Sequence, residues 1–172
     1  MVACFFINHH GEFINRIIRY ALYGFLALAI LLGTAYLFRT DPILMLPGKK
    51  LSGQEIPYPE SWAFTEEHLT IKVETNPEDP HSVTTLCFVR DGKLTIPAME
   101  GHTKQWPKYA EEDQRVRLKV GDQIYRAKLT LVTKDAQPLE IAPYLAPKMP
   151  DRPLPEPDEI PKNVWLFEVS RR

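Results

Sequence analysis

The sequence predicts a mainly β protein: a small antiparallel β-barrel with one short helix, preceded by a single N-terminal transmembrane helix. Three observations carry this. Residues 20–38 (YALYGFLALAILLGTAYLF) contain no charged side chain. Beyond them, short runs of alternating apolar and polar residues recur between turn clusters rich in Gly, Pro, Asn and Asp, the pattern of hairpin-connected strands. Helix-compatible residues after the apolar run are confined to short stretches.

The apolar run comes first. At about 1.5 Å per residue, a helix over residues 20–38 covers the roughly 30 Å hydrocarbon core of a bilayer. It is apolar all round, whereas the core helix of a soluble protein shows one apolar stripe. A cleavable signal peptide has a shorter apolar region, about 7–15 residues, and a small-residue cleavage site. Ala35-Tyr36-Leu37-Phe38-Arg39 offers no such site, so the run reads as an uncleaved signal anchor whose partner is the lipid bilayer. Tyr20, Tyr23 and Tyr36 lie near its ends, where amphipathic rings sit at headgroup level. Gly24 and Gly33 are not spaced as GxxxG and give no helix-dimer face. The expected organisation is a tail over 1–16, a transmembrane helix over 17–39, a Pro- and Gly-containing stalk over 40–60 and a barrel domain over 61–172.

Orientation follows from the flanking charges. Arg16 and Arg19 precede the span, while Arg39, Lys49 and Lys50 follow it and are offset by Asp41. The count barely separates the two sides, but arginines just before a first span favour a cytoplasmic N-terminus. The single-pass reading therefore places the barrel outside the cytoplasm.

Composition removes several classes of function. A net charge of −1 gives no electrostatic case for nucleic acid. Cys4 precedes the span and Cys87 follows it, so the span would keep them on opposite sides of the membrane and exclude a disulfide between them. No Cys/His ligand spacing is present, so no metal site is expected. Cys87, in an apolar stretch, reads as a small buried hydrophobe.

The strands are read in order. In residues 69–75, Leu69, Ile71 and Val73 alternate with Thr70, Lys72 and Glu74, the period of a half-buried strand. Residues 76–80 (NPEDP) are a turn cluster. Residues 81–89 (HSVTTLCFV) are β-branched and apolar, a second strand. Asp91-Gly92 supplies a hairpin turn, and residues 94–96 return until Pro97. A short helix is expected within 103–113, starting near Pro107. Residues 115–120 alternate again, with Val116, Leu118 and Val120 inward and Arg115, Arg117 and Lys119 outward. Gly121-Asp122 turns the chain into a long strand over 123–133, with Tyr125, Ala127, Leu129 and Leu131 on one face. Residues 138–161 are proline-rich and expected to be extended surface chain with a short helical piece around Tyr144. Residues 164–169 (VWLFEV) form a closing strand. About six strands in hairpin order suit a barrel, which also removes exposed edges.

The residues from 62 to 135 resemble the split β-barrel flavoproteins, the pyridoxamine-phosphate-oxidase-like family and its relatives. HSVTTLCFVRDGKLTIPA (residues 81–98) and KQWPKYAEEDQRVRLKVGDQIYRAKLTLV (residues 104–132) carry the likeness. A strand–hairpin–strand leads to a short helix, then to the step Asp113-Gln114-Arg115-Val116, then to the hairpin Gly121-Asp122-Gln123-Ile124-Tyr125. VWLFEVSRR is similar to the family's last strand. The resemblance implies a split barrel that binds FMN or deazaflavin F420, a homodimer with cofactor at the subunit boundary, and oxidoreductase activity. The basic, glycine-rich phosphate signature of many deazaflavin-type relatives is absent from the strand beginning at His81. A second reading therefore stays open, a non-catalytic accessory or scaffold subunit of a membrane complex.

The resemblance implies cofactor contacts from His81, Ser82, Thr84, Lys104, Trp106 and Lys108. A phosphate needs donors and positive charge, and the start of a short helix beside lysines supplies both. Lys104 and Lys108 flank Trp106 there, or else form a solvated basic helix face. Trp106 either stacks on a flavin edge or plugs the barrel end. Ser82 and Thr84 share one strand face and carry hydroxyls, and His81 could titrate. The sequence contains no nucleophile–base pair, and redox chemistry would come from the cofactor.

Overall fold

The computed structural model of the chain describes residues 3–37, 40–43, 46–150 and 163–172. The end of the expected span at 38–39, residues 151–161 of the proline-rich stretch and the side chain of Cys4 lie outside the described residues. The chain forms two compact units, Met1–Arg39 and Thr40–Arg172.

The first unit is one helix, α1 (Ala3–Leu37). Its segment Asn15–Tyr36 is long and apolar enough to cross a membrane, and no side chain of its most apolar window is buried in protein. Near its C-terminal end, Thr34 Oγ1 donates to Leu31 O at 2.8 Å. The helix begins well before the expected tail ends, for no proline precedes Pro42 and nothing else breaks the helical backbone.

The second unit holds eight strands: β1 (Gln54–Ile56), β2 (Thr70–Thr75), β3 (His81–Leu86), β4 (Phe88–Arg90), β5 (Lys93–Ala98), β6 (Arg115–Val120), β7 (Gln123–Ala136) and β8 (Val164–Arg171). Their order in space is β3-β2-β6-β7-β8-β5-β4, antiparallel at every step. β3 and β4 are one run of chain, parted only by Cys87. A path that starts and ends on the same run is closed, so this sheet is a barrel. Thr85 Oγ1 donates to Pro97 O at 3.1 Å across the seam between β3 and β5.

The expected strand over 81–89 therefore changes neighbours midway. Up to Leu86 it pairs with β2, and from Phe88 it pairs with β5. β5 continues through Pro97, the expected stop. Its ladder with β4 ends at Thr95, and a proline is tolerated where only one neighbour strand runs alongside. The hairpins fall where expected. Arg90 faces Lys93, with Asp91 and Gly92 at φ 52° and 75°, as a tight hairpin with two positive-φ centres requires.

Small barrels are filled by their own side chains. Ile71, Val73, Ile96, Leu118, Leu129 and Phe167 are buried in the interior cluster. A second cluster, with Phe88, Ile141, Leu145 and Leu166, lies beneath α3 (Pro138–Leu145), the short helix expected around Tyr144. Tyr144 stacks on Phe88 at 5.1 Å between ring centroids.

Within the segment 40–60, read as stalk, residues 40–43 and 46–56 lie against the barrel. Leu51 is buried and its N–H donates to Glu74 Oε2 at 2.6 Å. Gly48 and Ser82 exchange backbone bonds, and β1 runs parallel to the start of β7. Asp41 takes bonds from Lys119 at 2.5 Å and Lys72 at 3.0 Å. Arg117 pairs with Glu74 at 2.7 Å and with Glu55 at 3.2 Å. The outward residues Arg117 and Lys119 of β6 are thus covered by this segment, and Lys119 is only 8% exposed. Asp41 and Glu55 bring the countercharges that let these cations be covered. Arg115 does pair with its acidic neighbour, Asp113, at 2.5 Å.

Candidate functional site

The site is built where β3 meets α2 (Gln105–Glu112). Trp106 and Ala110, one turn apart, are both buried, the spacing that points two side chains to one face. The Trp106 ring lies 5.4 Å from Phe167 in the barrel core and is 3% exposed. Trp106 is thus mostly a plug, with only its rim available to a ligand. Pro107 falls in the first turn, where its missing N–H is not required, so the helix begins two residues earlier than expected. Lys104 is the residue before the helix, and no side chain caps it. The first-turn N–H groups of Gln105 and Trp106 are the ones a helix leaves without intrahelical partners.

His81 fixes the opposite wall. Its ring meets Tyr109 of α2 edge-on at 5.6 Å. Directly opposed residues of an antiparallel pair share a face. Val83 and Thr85 oppose Val73 and Ile71 of β2, so His81, Val83 and Thr85 point to the barrel side. Ser82 and Thr84 oppose Glu74 and Lys72 on the outer side.

A cleft of about 330 Å³ lies between these walls. Leu46 and Pro47 close one side, His81, Val83, Thr84 and Thr85 form the floor, and Thr103 to Trp106 form the other side. Residues of both faces of β3 line it. Its volume falls at the small end of the usual range for ligand pockets, roughly 300–1,000 Å³.

Of the six residues singled out in the sequence, His81, Thr84, Lys104 and Trp106 line this cleft. Ser82 does not. It is fully buried beneath Gly48, and its Oγ has no hydrogen-bond partner among the described residues. Lys108 is exposed on α2 away from the lining. Sequence reasoning passed over Leu46, Pro47, Val83, Thr85, Thr103 and Gln105. Thr85 was within reach, because the apolar alternation of β2 sets which face of β3 is inward. Leu46 and Pro47 carried no such signal, since they come from a segment read as stalk.

No protein-family model matches the chain, and no curated protein matches it. Solved structures do. A provisionally assigned pyridoxamine 5'-phosphate oxidase from Listeria innocua matches at TM-score 0.42 and 15% identity, over 63% of this chain and 87% of that one. A NimC/NimA family protein from Clostridium acetobutylicum matches at TM-score 0.41 and 19% identity, over 62% and 75%. A pyridoxamine 5'-phosphate oxidase-related, FMN-binding protein from Nostoc punctiforme matches at TM-score 0.39 and 14% identity, over 63% and 73%.

Elsewhere in the barrel the reactive groups are tied down. Cys87 is fully buried, and burial pushes its thiol up to about 11 despite the nearby Lys148 ammonium. Lys148 donates to the carbonyls of Thr65, His68 and Cys87 at 2.9, 3.0 and 2.9 Å. Burial likewise raises the Tyr125 phenol. Among the described residues no three His, Cys, Asp or Glu side chains group to hold a metal.

Proposed function

We propose that this chain is a membrane-anchored barrel that binds a flavin-type cofactor, FMN or a deazaflavin, in the cleft between β3 and α2, and serves as an oxidoreductase. One observation carries the reading. Residues 81, 84, 104 and 106, selected through a sequence likeness to split-barrel flavoproteins, come together around one cleft.

The donor set suits a phosphate-bearing ligand. Lys104 contributes an ammonium at the mouth, the first turn of α2 contributes N–H groups and the positive end of a helix dipole, and Thr84 contributes a hydroxyl. Val83, Leu46 and the rim of Trp106 offer apolar surface to a ring system. A bound flavin supplies the electron transfer, while the protein binds, orients and excludes water. The cleft is open on one side, which leaves room for a second copy of the chain to cover the ligand, the dimer that the resemblance implies. α1 is the anchor.

A second reading rests on the filled barrel interior. Trp106, buried against Phe167, fills that end of the barrel with side chain, which suits an accessory subunit. The absorbance spectrum of freshly purified full-length protein separates the two. A flavin or deazaflavin band in the visible range is the expected result. A colourless protein that takes up neither cofactor would leave the accessory reading standing.

A further inference from the structure

One wall of the cleft has an unusual surface. Ile43 and Leu46 exchange both backbone hydrogen bonds, at 3.1 and 2.9 Å, so they are directly opposed and their side chains lie on the same face. Both are large, apolar and turned to solvent, at 63% and 60% exposure. Leu46 also lines the cleft, with Pro47 behind it. Lys50 and Lys104, both exposed, follow in sequence or flank the same cleft.

The chain itself says what covers this pair. Ile43 follows Tyr36, the last residue of the membrane-crossing candidate segment, by seven positions. A fully extended chain gains at most about 3.3–3.6 Å per residue, so the tether is no longer than about 25 Å. An apolar pair on so short a leash from a transmembrane helix meets lipid before any other apolar surface. Flanking lysines suit anionic headgroups.

We propose that Ile43 and Leu46 dock into the headgroup–acyl boundary of the bilayer that α1 crosses, so that the mouth of the cleft opens at the lipid surface. A ligand dissolved in the bilayer then reaches the β3–α2 cleft past Leu46 without crossing bulk water. This rests on the anchoring half of the proposed function and is independent of which cofactor binds.

The test uses the full chain with Cys4→Ser, reconstituted in phosphatidylcholine–phosphatidylglycerol vesicles. An environment-sensitive fluorophore is placed singly at Ile43→Cys, Leu28→Cys or Asp91→Cys, with spin-labelled lipids carrying the quencher at the headgroup or deep in the acyl chain. Asp91 is the control because it lies at the far end of the continuous β3–β4 run, whose near end bridges to Gly48. The expected result is a blue-shifted probe at Ile43 quenched by headgroup label, a probe at Leu28 quenched by deep label, and a water-like, unquenched probe at Asp91. Quenching at Leu28 with Ile43 behaving like Asp91 would overturn the docking and leave the anchor intact. No quenching at Leu28 would remove both.

Discussion

Replacing Asp41 by alanine removes a carboxylate that two barrel lysines hold in common. Asp41 Oδ2 accepts from Lys119 Nζ at 2.5 Å and Lys72 Nζ at 3.0 Å, and Oδ1 accepts from the N–H and Oγ of Ser52 at 2.8 and 3.1 Å. Burial alone would raise this carboxyl. The donated bonds outweigh burial and hold it far below the usual carboxylate range. Breaking a buried ion pair from one side costs about 3–5 kcal/mol. Here the site is partly open to solvent, with the Asp41 side chain 19% exposed, and Lys119 keeps its bond to Ser52 O at 2.6 Å. The lower end, about 3 kcal/mol, therefore applies. A unit of about 130 residues unfolds with an entropy near 0.28 kcal/mol/K, so this cost lowers Tm by roughly 10 °C.

The assay is thermal unfolding of the full chain in mild detergent at pH 7. All three tryptophans, Trp62, Trp106 and Trp165, belong to the barrel core, so their fluorescence follows this unit alone. The pH dependence has a definite sign. A carboxyl depressed in the folded state adds stability that is complete above its unfolded value, near 4, and is lost as pH falls toward the folded value. The gap between wild type and Asp41→Ala should therefore be full at pH 7 and narrow on acidification below about 4. A Tm drop under about 3 °C at pH 7, equivalent to less than 1 kcal/mol, would refute the claim that Asp41 ties the segment before β1 into the barrel. A gap that persists unchanged in acid would refute the electrostatic account of it.

Other outcomes follow from single contacts. Gly101→Ala would drive a Cβ into the Trp165 ring; the ring must shift, and a loss of about 1–3 kcal/mol is expected in the same thermal assay. Cys87, buried and with its thiol pushed up to about 11, should react with a maleimide at neutral pH only as fast as the barrel opens, and faster in urea; rapid labelling of the folded chain would contradict its placement. Lys148→Met leaves three carbonyls without their shared donor and should cost about 1–3 kcal/mol by urea unfolding.

Legibility in the sequence tracked the range of the interaction. β6 was read at its observed bounds because Val116, Leu118 and Val120 alternate and Gly121 ends them locally. The change of partner at Cys87 was hidden, since it depends on β2 and β5 approaching one strand from the same side. β1 was missed because it is three residues long and pairs in parallel with a distant strand. The outward cations of β6 were read without their partners, because the acid that covers Lys119 lies 78 residues away in the chain. At the site, the family likeness found four cleft residues. Ser82 shares the face of Thr84, as read, but stands outside the cleft because Gly48, from a segment read as stalk, bridges to it.

The central claim is that the β3–α2 cleft holds a phosphate-bearing flavin. Its most direct measurement is a fluorescence titration of FMN with the full-length chain, run beside Thr84→Trp, which fills the cleft, and Lys104→Glu, with riboflavin as the ligand lacking phosphate. The account predicts saturable quenching of FMN by the wild type, its loss in Thr84→Trp, and a weakening in Lys104→Glu that is larger for FMN than for riboflavin. Absence of FMN binding by the wild type, or equal binding by Thr84→Trp, would contradict it.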